Sequence, residues 1–101
     1  MSTSPESELR AMWNQCRPRT LNQLESMSSA LGIIYADSDV KALDADQVTI
    51  SVYHSGQEIT GIFVENPNAH VSLLIRNDLA RSLFALLSAP SQEAYLSGTV
   101  T

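Results

Sequence analysis

Apolar positions change their period along this chain, and the changes mark its elements. From Ser4 to Cys16, Leu9, Met12, Trp13 and Cys16 recur at i, i+3, i+4 and i+7, the stripe of an amphipathic helix. Ser4 or Thr3 can cap its start, Pro5 suits a first turn, and Glu6 and Glu8 complement the positive end of the helix dipole. Arg17 precedes Pro18 and is pushed away from helical angles, so the chain bends there. A second helix is expected at once, because Thr20-Leu21-Asn22-Gln23 has the capping-box form, with Gln23 reaching back to Thr20. Leu21, Leu24, Met27 or Ser28, and Leu31 carry its period, and Gly32 offers a C-terminal cap unless Ile33 to Ala36 extend it. Its end is expected between Leu31 and Tyr35. Ala36 to Asp46, with Asp37, Asp39, Asp44 and Asp46 around Val40 and Leu43, reads as a polar connection with room for one helical turn.

From Gln47 the period is two. Val48, Ile50 and Val52 alternate with Thr49, Ser51 and Tyr53, and Ser55-Gly56 reads as a two-residue hairpin loop. That loop sets Val52 opposite Ile59, Ile50 opposite Gly61 and Val48 opposite Phe63, with all six on the core face. Asn66-Pro67-Asn68 forms the next turn, and Val71, Leu73 and Ile75 point a third strand the same way. Asn77 or Asp78 then caps a helix through Leu87 or Ser88, which Pro90 terminates, and Ser91 is placed to cap a last short turn holding Tyr95 and Leu96. The expected order is ααβββα. The fold class is α+β in one domain over residues 1–101: N-terminal helices, a three-stranded antiparallel meander and a C-terminal helix.

Two surfaces in this layout exceed the needs of one core. The second sheet face would carry Tyr53, Ile62, Val64 and Leu74 among Thr49, Ser51, Thr60 and Ser72. In the last long helix, Leu79, Ala80, Leu83, Phe84, Leu86 and Leu87 spread over nearly half the circumference. Either the N-terminal helices cover one sheet face and this helix the other, or part of Leu83, Phe84, Leu87, Ile62, Val64 and Leu74 meets another chain. Composition favours the second arrangement, since hydrophobic residues make up 44% and charged residues only 17%, and interface cores are depleted in charge. A homodimer is expected on the same ground, with Leu83, Phe84 and Leu87 as the anchors for a partner.

The formal charge of -5 repels phosphate backbones and anionic lipid, so direct nucleic-acid or membrane binding is not expected. No window suits a membrane span, Met1 to Glu8 does not read as a signal peptide, and the lone Cys16 suits a reducing compartment, so a cytoplasmic protein is expected. Cys16, His54 and His70 fall short of a zinc set, and no cofactor motif is present. A calcium loop starting at Asp37 would need Gly and Glu where the chain has Ala42 and Val48. Gly32, Gly56, Gly61 and Gly98 never approach a phosphate-loop spacing. Cys16 lacks an evident base and reads as a small buried hydrophobe. Arg17-Pro18-Arg19 is the only basic cluster and marks the interhelical bend, though the two arginines could also grip an acidic patch on a partner.

Three function classes remain. An enzyme would need residues brought together from a distance, and a small-ligand module would need space between sheet and helices, with Trp13 or Tyr53 as a wall. A protein-binding regulator needs only an apolar patch with a polar rim, which matches best. A short acidic chain with two N-terminal helices, a hairpin at Ser55-Gly56 and an apolar helix from Leu79 to Leu87 resembles the QslA-like quorum-sensing anti-activators in length, character and element order. The resemblance implies binding to a LuxR-type transcriptional activator and loss of that activator's dimer, hence of its DNA binding. It carries no functional residue across. A phage- or plasmid-encoded inhibitor of another host protein would share every physical feature named above.

Overall fold

The structure, a computed structural model, describes residues 4–28 and 33–98. The element order is α1 (Pro5–Cys16), α2 (Leu21–Met27), α3 (Asp37–Ala42), β1 (Thr49–Ser55), β2 (Glu58–Asn66), β3 (Val71–Arg76), α4 (Asn77–Phe84) and α5 (Ala89–Leu96), and the strands form one antiparallel sheet in the order β1-β2-β3. This is the expected α+β fold with two further short helices.

Local chemistry sets the helix ends. Ser4 caps α1 by accepting the Ser7 N–H at 3.1 Å, Pro5 sits in the first turn, and the helix stops at Arg17 before buried Pro18. Thr20 caps α2 by accepting the Gln23 N–H at 3.2 Å. The return half of the expected box is displaced, because Gln23 Oε1 accepts the Arg19 N–H, not that of Thr20. α2 ends at Met27, earlier than its apolar period suggests; Ser28 turns extended and its hydroxyl bonds the Tyr35 hydroxyl at 3.0 Å. The Leu31 and Gly32 positions of that reading lie outside the described residues. Residues 33–36 are not helical, and α3 begins after them, where Asp39 accepts the Ala36 N–H at 2.6 Å.

The hairpin register departs from expectation in two steps. Ser55 pairs with Glu58, so the loop is Gly56 and Gln57, with Gly56 at φ +62°, a conformation glycine reaches without strain. Thr60 then forms a bulge: His54 pairs with Ile59 but Tyr53 pairs with Gly61. Moving the loop by one residue preserves the faces, whereas one extra residue reverses them beyond the bulge. Ile62 and Val64 therefore point into the core, opposite Val52 and Ile50, and Phe63 points out.

The last helical region is two helices. α4 ends at Phe84, the Leu87 N–H bonds back to Phe84 at 3.1 Å, and Ser88, not Ser91, caps α5 with Pro90 inside its first turn. α4 lies across β2 and β3, and α1 packs on α4 and α5. Leu9, Met12 and Trp13 of α1, Leu24 of α2, the inner sheet residues Ile62, Val64, Leu73 and Ile75, and Ala80, Leu83 and Phe84 of α4 join one buried cluster. The helices thus share one side of the sheet, in two layers, so of the two arrangements weighed above the one with helices on both faces is not the one adopted.

Candidate interaction surface

Five of the six residues expected to meet a partner are core. Ile62 and Val64 are 0% exposed, turned inward by the Thr60 bulge. Leu83, Phe84 and Leu87 are buried as well, Phe84 at 4% with its ring edge-on to Tyr95 at 6.2 Å. The wide apolar arc assumed a helix running to Leu87; with α4 ending at Phe84, Leu87 folds back onto the core while Leu79 and Leu86 stay exposed. Leu74 alone stands where it was placed, half-buried on the outer sheet face.

That outer face has an apolar centre. Tyr53, 51% exposed, pairs across the strands with Gly61, and its ring centroid lies 6.4 Å from that of Phe63 on the same face. Phe63 pairs in turn with Leu74. A Cβ on Gly61 would lie 3.3 Å from Leu74 Cδ1 and 3.9 Å from Tyr53 Cδ2, so the two side chains flank this glycine. A bare glycine in a central strand leaves a hole that a cross-strand aromatic ring fills. Around the three apolar side chains stand Thr49, Ser51, Glu65, Ser72 and Arg76. The alternation of Ser51 and Tyr53 made this face visible in the sequence, but Phe63 was hidden by the bulge.

Other chemistry-bearing groups hold the fold together. The Glu8 carboxylate accepts from the Ser88 N–H at 3.0 Å, the Ser88 hydroxyl at 2.9 Å and the Ser91 hydroxyl, clasping α1 to the start of α5. Chiefly the Ser91 bond, then those from Ser88, hold its pKa below the usual carboxylate value. Asp44 is lowered first by the Asp46 N–H and then by Arg17, whose guanidinium lies 2.9 Å away and ties the end of α1 to the loop after α3. Burial pushes the Cys16 thiol up, away from a nucleophilic thiolate. Trp13 fills the core and donates Nε1–H to the Leu43 carbonyl at 3.2 Å, on the opposite side of the sheet from Tyr53, so the two do not wall a common space. His54 bonds the Gly56 carbonyl through Nδ1 at the hairpin. Among the described residues no three of His, Cys, Asp or Glu converge as metal ligands, and no helix is long and apolar enough to cross a membrane. Comparison with family models, curated proteins and solved structures finds no match to this chain.

Proposed function

We propose that this chain is a non-enzymatic protein-binding regulator that receives its partner on the outer sheet face, around Tyr53, Phe63 and Leu74. The observation that carries this reading is the apolar centre of that face, two rings and a leucine inside a polar margin. Protein-binding surfaces have that organisation, and tyrosine is among the side chains that contribute most to them. The resemblance to the QslA-like anti-activators supplies the partner class, a LuxR-type transcriptional activator whose dimer would be broken. The net charge of -5 suits an inhibitor that acts without touching DNA.

The test is binding of a purified LuxR-type activator to the chain, read by interferometry beside the activator's retention on its operator. The wild type should bind and release the operator. Phe63→Ser and Leu74→Ser, checked for folding by near-UV circular dichroism, should each bind at least about tenfold more weakly, the loss of a contact worth ~1.4 kcal/mol. Unchanged binding by folded variants would move the partner off this face, and a wild type that does not bind would remove the activator as partner.

A further inference from the structure

We infer that a second copy of this chain pairs with it through β1, antiparallel about a two-fold axis at Val52, joining two three-stranded sheets into one of six strands. β1 is an edge of the sheet. Its backbone bonds to β2 on one side, and among the described residues no other backbone hydrogen bond reaches it. Exposed edges are normally blunted by charge, proline or a bulge. β1 has none of these: Gln47 to Gln57 contains no Asp, Glu, Lys, Arg or Pro, and the bulge residue, Thr60, lies on β2. The other edge, β3, ends at Arg76 and runs directly into α4.

The strand can pair with itself over its whole length. With Val52 at the axis, Thr49 faces Ser55, Ile50 faces His54 and Ser51 faces Tyr53 of the second copy, so the strand overlaps end to end with every residue on its own face. Ile50 and Val52, half-buried at the margin of the core, would gain a neighbour.

Charge bears on where a second copy can sit. Two molecules of charge -5 repel each other, and the repulsion is least where carboxylates stay apart. In this pairing the nearest strand carboxylates, Glu58 and Glu65, lie on the two β2 strands. Those strands are three spacings apart, roughly 14 Å, beyond the Debye length of about 8 Å at physiological ionic strength. The inference rests on the strand edge and not on the outer face, although it would set the two outer faces side by side.

Sedimentation velocity of the wild type alone, from low to high micromolar, should approach twice the 11.0 kDa of one chain. Ser51→Lys would place a lysine of each copy at diagonal positions across the axis, about 7–8 Å apart at the backbone, and should return the protein to single chains. Ser72→Lys, on the same face of β3, should leave the pair intact. Amide exchange of the wild type needs no variant: protection in β1 should rise with concentration. An 11.0 kDa species at every concentration, a folded Ser51→Lys that still pairs, or β1 exchange independent of concentration would overturn the inference. No activator is present, so the outcome is separate from that of the partner test.

Discussion

Gly61 lies close against β3 and beside the Tyr53 ring, where a side chain would be crowded. An added Cβ would lie 3.2 Å from the Ile75 carbonyl oxygen and 3.3 Å from Leu74 Cδ1, and the first is backbone that cannot swing aside. Gly61→Ala is therefore expected to destabilise the protein by about 1–3 kcal/mol, the usual range for overpacking, and to lower the urea midpoint without changing the slope. Gly56 differs, since its φ of +62° serves the hairpin loop and a Cβ there meets nothing within 4 Å. The turn role of Gly56 is legible in Ser55-Gly56, two residues from an alternating strand. That of Gly61 is not, because the demand comes from a carbonyl and a leucine of β3.

Among the elements, those set by local bonds were legible and those set by register were not. Ser4 and Thr20 start α1 and α2 by accepting an N–H three residues on with their side-chain oxygens, and Pro18 stops α1 through its ring, so their spacing suffices. The β3 face was equally plain, with Leu73 and Ile75 buried as the alternation requires. The β2 face was not, because Thr60 breaks the alternation without any compositional sign and moves Ile62 and Val64 from the outer surface to the core. The clasp of α1 on α5 was missed for a related reason: Glu8 was read as complementing its own helix dipole, whereas its carboxylate reaches Ser88 and Ser91 near the other end of the chain. Because folding lowers the pKa of Glu8, its contribution is full above the unfolded value, near 4.5, and fades as pH falls through the folded one. Glu8→Gln should therefore melt below the wild type at neutral pH, and the gap should narrow below about pH 4.5 as the wild-type carboxyl protonates. Thermal melts of both proteins between pH 7 and pH 3 check this, and a gap that stays constant would separate the clasp from the charge of Glu8.

For the whole molecule, the arrangement of two layers with helices on one side places the two phenylalanines in different surroundings. Phe84 belongs to the single buried cluster that joins α1, α4 and the inner sheet, so truncating it opens a cavity that neighbours from several elements cannot fill. Phe63 stands half-buried on the outer face, where its described ring contact is with Tyr53. Phe84→Ala should lose about 3–5 kcal/mol, a large share of the 5–15 kcal/mol that holds an ordinary domain together. Phe63→Ser forfeits only partial burial and one tilted ring pair, about 1–2 kcal/mol, and should remain folded. Urea unfolding of the two variants followed by tryptophan fluorescence, which reports Trp13 at the centre of the cluster, should give a much lower midpoint for Phe84→Ala than for Phe63→Ser. The reverse order would mean that the outer face is part of what folds the chain, and a partner would then have to be sought on another surface.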